Sequence, residues 1–98
     1  MDDITFSWDE KKSKSNLRKH GVGFEEAKTA FADEHGRLIP DPDHSDDEQR
    51  FILMGLSNRV RVLLVCHCYR EADNVIRIIS ARKADKAETR QYQEFRHA

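Results

Sequence analysis

The sequence predicts an α+β fold, with a small antiparallel sheet that follows N-terminal helices and precedes one C-terminal helix. Three apolar runs, at 51–56, 60–69 and 75–81, are separated by turn-forming residues, as in strands joined by hairpins, and the last run is rich in β-branched residues. After residue 82 the apolar period changes from two to that of an amphipathic helix. With 98 residues, the chain is expected to form one domain over residues 1–98.

The first half of the chain carries clear signals for helix ends. Apolar and polar residues alternate over residues 4–8, which predicts a short strand. Asp9 suits the N-cap of a helix over residues 10–19, and Gly21 suits its left-handed end. Further elements are a second helix from residue 23, a strand at 37–40 and an acidic loop at 41–49. The predicted core includes Phe6, Trp8, Leu17, Phe24, Ala27, Phe31, Ile52, Leu64, Ile76 and Ile78.

Composition narrows the class of protein. Hydrophobic residues make up 38% of the chain and charged residues 36%, and no apolar run is long enough to span a membrane. The sequence starts without a secretory signal pattern, so a cytoplasmic location is expected. Cys66 and Cys68 lie two residues apart on a predicted strand and are expected to stay reduced. No second pair at ligand spacing follows them, so neither a metal site nor a cofactor is expected.

Charge is distributed unevenly along the chain. Residues 25–48 contain nine acids against two cations, a balance of −7. Residues 59–98 contain nine Lys and Arg against five acids, a balance of +4. A basic C-terminal half favours a polyanionic ligand, although solvated surface charge explains the same composition.

The cations of the last two strands fall on two faces if the strands alternate regularly. Pairing Arg70 with Val75 puts Arg70 and Arg77 on one face of the sheet. Arg61 and Arg82 then share the other face with His67 and Tyr69. Arg77 and Arg82 can therefore serve one site only if the strand ends or bulges before Arg82.

Two separated blocks of the sequence resemble the BrnT toxin family of bacterial type II toxin–antitoxin systems. The residues that carry the resemblance are Phe6, Trp8, Asp9, Lys12, Asn16, Lys19-His20-Gly21-Val22, Phe24-Glu25-Glu26-Ala27, Arg70, the run RIISAR from Arg77 to Arg82, Ala84, Glu88 and Tyr92. The resemblance implies a compact α+β domain similar to RelE-type ribonucleases. It also implies metal-independent RNA cleavage that inhibits translation.

The resemblance further implies a protein partner. This partner is a cognate BrnA-like antitoxin that masks the toxin and binds operator DNA through a ribbon-helix-helix domain. Because ribbon-helix-helix proteins dimerise, a heterotetramer with paired copies of each chain is expected. The resemblance also implies that the toxin itself reaches operator DNA only through the antitoxin.

Cleavage through the ribose 2′-hydroxyl needs a base, cations for the phosphorane charge and an acid for the leaving oxygen. His20 or Glu88 could be the base, and Tyr92 or a histidine could be the acid; Glu88 could instead orient Arg82. Two alternatives are a nucleic-acid-binding module without catalysis and a pure interaction subunit. The candidate catalytic residues are Arg82, Arg70, Arg77, His20, Glu88 and Tyr92, and the candidate RNA-binding residues are Lys12, Lys19 and Arg61.

Overall fold

The structure, a computed structural model, describes residues 4–42, 49–70, 72 and 74–97. Most of the acidic loop and part of the last hairpin, residues 43–48, 71 and 73, lie outside the described residues. A five-stranded sheet in the order β1-β5-β4-β3-β2 forms the centre of the fold. The elements are β1 (Thr5–Ser7), α1 (Glu10–His20), α2 (Phe24–Thr29), a 3-10 turn (Ala30–Ala32), β2 (Arg37–Pro40), β3 (Phe51–Leu56), β4 (Val62–Arg70), β5 (Val75–Lys83) and α3 (Lys86–Arg96).

The sheet is mixed, so the expectation of a purely antiparallel sheet is wrong at one edge. Strands β2 to β5 pair antiparallel with their sequence neighbours, as hairpin connections require. Strand β1 instead pairs parallel with β5, with Phe6 opposite Ile76. Nearly the whole chain separates these two strands, so no hairpin fixes their relative direction.

Helices α1 and α2 cover one face of the sheet, which we call the helical face. Its core consists of Val22, Phe24, Ala27, Ala30, Leu53, Leu63, Val65, Ile78 and Ala81, with Phe6, Trp8 and Phe31 packed against it. The prediction for Leu17 is wrong, because its side chain is 51% exposed. The inward residues of α1 are instead the polar Ser13 and Asn16.

Asn16 fastens α1 to the outer edge of β5. Its Nδ2 donates to the carbonyl oxygens of Val22 and Ala81 at 2.7 Å each, and its Oδ1 accepts from the Ala81 backbone N–H at 3.3 Å. Strand β1 pairs with β5 only as far as Arg77. The Asn16 amide therefore takes the place of a strand beyond that point and satisfies a backbone edge that would otherwise be buried unpaired.

A β-bulge in β5 reverses the side-chain alternation before Arg82. His67 pairs with Ile78 while Cys66 pairs with Ser80, so Ile79 is an extra residue. Ile78 and Ala81 consequently both face the helical core, although they are three residues apart. Arg77 and Arg82 can lie on the same face only if the strand has such a bulge or ends before Arg82, and the structure has the bulge.

The second face of the sheet carries the arginines. Arg82 pairs with Leu64 and Arg77 pairs with Cys68, and these two β4 residues lie on one side of that strand. Arg70 alternates in phase with them and lies on the same side. The sequence-based grouping of Arg82 with Arg61 is therefore wrong, and Arg70, Arg77 and Arg82 belong to one face.

Helix α3 covers one end of this second face. Tyr92 is fully buried there against Met54 and Val62, with Leu56, Ala84 and Phe95 packed around them. Asp85 is the N-cap of α3 and forms a capping box with Glu88. Among the described residues, no helix combines the length and apolarity that crossing a membrane requires.

Candidate functional site

A polar cleft of about 330 Å³ opens on the second face, between the end of α1 and the strands β3 to β5. A larger groove of about 860 Å³ lies on the helical face around Phe6, Phe31 and Ile76, but its lining is mostly apolar. The smaller cleft has the better chemistry for a phosphate-bearing ligand, because guanidinium, imidazole and hydroxyl groups line it. Its polar lining residues are His20, Asp41, Arg50, Cys66, Ser80 and Arg82.

Arg82 is held at the edge of this cleft by Glu88. Its Nη1 and Nη2 donate to the two carboxylate oxygens at 2.8 and 2.9 Å, and Nη1 also donates to the Lys83 carbonyl oxygen at 3.3 Å. A guanidinium group has five N–H donors. Within the described part of the chain, these bonds leave the Nε–H and one Nη2–H, which point to the same side. The Arg82 side chain is 46% exposed, so this second edge can bind a phosphate.

Glu88 is well suited to orient Arg82 and poorly suited to accept a proton. Its Oε1 also accepts from the Asp85 backbone N–H at 2.9 Å. The hydrogen bonds from Arg82 lower the pKa of Glu88 to about 2, against the opposing effect of burial. A carboxylate with so low a pKa is a weak base at neutral pH. The geometry thus favours the alternative in which Glu88 positions the guanidinium.

Tyr92 faces the protein interior rather than the cleft. Its side chain is fully buried, and its hydroxyl donates to Asp33. Burial, together with this hydrogen bond to a carboxylate, raises the pKa of Tyr92 to about 12. The buried phenol does not reach the cleft, so Tyr92 is poorly placed for the predicted role as an acid. Its contacts with Met54 and Val62 instead fasten α3 to the sheet.

Arg61 is paired with a carboxylate near the end of α1. Its Nε donates to Glu26 at 2.9 Å, its Nη2 forms a short contact with the same carboxylate, and Nη2 also donates to the Gly21 carbonyl oxygen at 2.9 Å. Ser57 donates to Glu26 as well, at 2.7 Å. The hydrogen bond from Arg61 is the main cause of the lowered pKa of Glu26. Because its charge is used within the fold, Arg61 is poorly placed for the predicted contact with RNA.

The other predicted site residues occupy several positions. His20, the last residue of α1, is exposed and lines the cleft with Arg82. Arg77 is partly buried and Arg70 is exposed, both further along the second face. Lys12 and Lys19 are exposed on α1, and neither is among the residues that line the cleft.

Sequence reasoning missed part of the cleft. The Cys66 thiol contacts Asp41 Oδ2 at 3.4 Å, and Asp41 is buried. Burial and this carboxylate raise the pKa of Cys66 to about 11. Arg50 and Ser80 also line the cleft. Whether these two side chains share a face with Cys66 depends on how β3 and β5 pair with β4. The alternation of side chains along one strand does not reveal that pairing.

Arginines and an imidazole around one cleft are groups suited to binding the phosphates of a nucleic acid. A family model described as "Ribonuclease toxin, BrnT, of type II toxin-antitoxin system" matches residues 8–88. The chain belongs to this family of ribonuclease toxins.

The fold has a counterpart among solved structures. The crystal structure titled "1.1 Angstrom-resolution crystal structure of the Brucella abortus ribonuclease toxin, BrnT" is similar to this chain, with a TM-score of 0.61 and 22% sequence identity. The similarity covers 85% of this chain and 99% of that one, and it shows a shared fold. A search of curated proteins found no match.

Proposed function

We propose that this toxin is a metal-independent endoribonuclease that cleaves RNA by attack of a ribose 2′-hydroxyl and thereby inhibits translation in the cytoplasm. The observation that carries the proposal is the free edge of the Arg82 guanidinium, which a bulge and Glu88 hold at the cleft lined by His20. Kinship with RelE-type ribonucleases is part of the same proposal.

In the proposed reaction the 2′-oxygen forms a bond to the adjacent phosphorus as the bond to the 5′-oxygen breaks. The 2′-hydroxyl loses a proton to a base, and the leaving 5′-oxygen gains one from an acid. The products are a 2′,3′-cyclic phosphate and a 5′-hydroxyl. Arg82 stabilises the charge that develops on the phosphorane oxygens. His20 is the exposed imidazole at the cleft, so we assign it one of the two proton transfers.

Incubating purified protein with end-labelled single-stranded RNA in excess EDTA tests this proposal. The expected products carry 2′,3′-cyclic phosphate and 5′-hydroxyl ends, and RNA with 2′-O-methyl groups should resist cleavage. Arg82→Ala and His20→Ala should each cleave more slowly while keeping the wild-type circular dichroism spectrum. Cleavage that EDTA abolishes, or that leaves 5′-phosphate ends, contradicts the mechanism; binding without cleavage indicates the non-catalytic alternative.

We also propose that the antitoxin is a ribbon-helix-helix protein that covers the arginine-bearing second face and joins two toxins in a heterotetramer. The family description supports an antitoxin partner, and the grouped cations on one face favour an acidic contact surface on it. Coexpressed chains should elute together at the mass of two copies of each, and bind operator DNA only as the complex. Separate elution at micromolar concentration, with neither chain inhibiting the other, contradicts this proposal.

A further inference from the structure

Arg50 is a second guanidinium at the cleft, and none of the roles derived above uses it. It lines the cleft from the start of β3, whereas Arg82 lines it from the end of β5. Its backbone carbonyl oxygen accepts from the Asp41 N–H at 3.0 Å, which extends the β2–β3 ladder by one pair and fixes the local backbone. Two cations that stand on different strands and reach one cleft can contact two points of an extended anion.

The strand register gives the separation between these cations. Phe51 pairs with His67, so Arg50 continues the row that holds Cys68 and Arg77. Two strand spacings separate Arg50 from Arg77 across the sheet, about 10 Å. Arg82 pairs with Leu64, four β4 residues from Cys68, so it lies about 13 Å from that row along the strands. The two components combine to about 16 Å between the backbones of Arg50 and Arg82, and both long side chains line the cleft that lies between them.

The Arg50 side chain lines the cleft together with Asp41 and Cys66. Its positive charge opposes the effect of Asp41 on the pKa of Cys66. Asp41 is an acidic residue that lines the same cleft, and its buried carboxylate accepts a hydrogen bond from the Cys66 thiol. A guanidinium has five N–H donors, enough to balance a neighbouring carboxylate and to bind a phosphate as well.

We propose that Arg50 binds a phosphate of single-stranded RNA next to the one that Arg82 contacts, so that the substrate crosses the sheet from β5 towards β3. The inference rests on the proposed ribonuclease function, since it takes RNA as the occupant of the cleft. The small cleft volume favours an unpaired strand, whose nucleotides enter singly, over a duplex. Because Arg50 would contact a phosphate and not a base, it would increase the affinity for RNA without adding a preference for particular bases.

Salt-dependent binding of a 2′-O-methyl oligonucleotide, which carries the phosphates but cannot be cleaved, tests the inference. The dissociation constant is measured by fluorescence anisotropy between about 50 and 200 mM salt, for wild type, Arg50→Ala, Arg50→Lys and Arg59→Ala. Arg59 is a matched control because it is exposed at the β3–β4 turn, away from the cleft. Thermal unfolding monitors the fold of each variant.

Arg50→Ala should weaken binding and reduce the slope of log affinity against log salt by about 0.7. Between about 50 and 200 mM salt, the affinity of this variant should therefore fall by a factor about 2.6 times smaller than that of wild type. Arg50→Lys should keep the slope, and Arg59→Ala should leave both quantities unchanged. Asp41→Asn should strengthen binding, because it removes a negative charge from the cleft. An unchanged slope in Arg50→Ala overturns the inference.

Two further outcomes are distinguishable. If Arg50 only balances Asp41, Arg50→Gln leaves the salt slope at the wild-type value and changes thermal stability alone; this outcome also overturns the inference, and it can be measured even if Arg50→Ala fails to fold. If wild-type protein does not cleave unmodified RNA in EDTA, the proposed function fails, whatever the slope for Arg50→Ala.

Discussion

Replacing Glu88 with glutamine separates orientation of Arg82 from proton transfer. Glutamine has nearly the same shape, but its amide nitrogen cannot accept, so one of the two hydrogen bonds from Arg82 is lost together with the opposite charge. Because the Arg82 side chain is half exposed, solvent screens the pair, and the expected loss is about 1 kcal/mol of unfolding free energy. In a domain of this size the melting temperature should fall by about 5 °C.

The kinetic effect of Glu88→Gln should be partial. The guanidinium stays charged and near the cleft but is less firmly held, so we expect kcat to fall about tenfold with little change in KM. Arg82→Ala should lose about a hundredfold or more, because it removes the donor itself. Single-turnover cleavage of labelled RNA measures both variants. If Glu88 were the general base, its loss would instead be as severe as that of Arg82.

The stability difference between wild type and Glu88→Gln should depend on pH in one direction. Folding lowers the pKa of Glu88 from its usual 4.5 to about 2, so the carboxylate stabilises the fold above pH 4.5. This contribution should disappear as the pH falls from 4.5 towards 2 and the folded-state carboxylate is protonated. Equal unfolding free energies at neutral pH, or a difference that grows in acid, refutes the reasoning.

Three other side chains give separate expectations. Asn16→Ala should cost about 3 kcal/mol in urea unfolding, because it leaves buried backbone groups, those of Ala81 among them, without partners; an unchanged midpoint contradicts this. Tyr92→Phe should cost about 2 kcal/mol by removing a hydrogen bond to the charged Asp33, with cleavage by the folded protein retained. Cys66 should alkylate slowly at pH 8 and faster towards pH 11, since its thiolate forms only near there; rapid reaction at pH 8 argues against the buried contact.

The ends of the secondary-structure elements could be predicted because their signals are local. The Asp9 side chain accepts from the N–H groups of Lys11 and Lys12, and Gly21 adopts a φ of 71° as the helix ends. Both effects depend on residues within one helical turn, so a single sequence contains them. The apolar period of the strands from Phe51 onwards is equally local, and their predicted positions are confirmed within a few residues.

The arrangement of the site could not be predicted because it depends on a bulge and on distant pairings. Ile78 and Ile79 are both apolar and suit a strand, so composition gives no sign that one is the extra residue. The signal is the spacing of buried residues, which changes from two to three between Ile78 and Ala81, and burial is known only from the fold. Asn16 likewise gives no local sign of its role, because the backbone groups of Ala81 that it binds lie 65 residues further along the chain.

Cleavage rates of three arginine variants test most directly the claim that the bulge assembles the site. Regular alternation groups Arg82 with Arg61, whereas the bulged strand groups Arg82 with Arg77. The rates of Arg82→Ala, Arg77→Ala and Arg61→Ala are compared on one labelled RNA in EDTA, with circular dichroism and thermal unfolding as controls. We expect Arg82→Ala and Arg77→Ala to lose activity together, and folded Arg61→Ala to cleave at the wild-type rate. Joint loss in Arg82→Ala and Arg61→Ala, with Arg77→Ala active, or a folded Arg82→Ala protein at the wild-type rate, contradicts the claim.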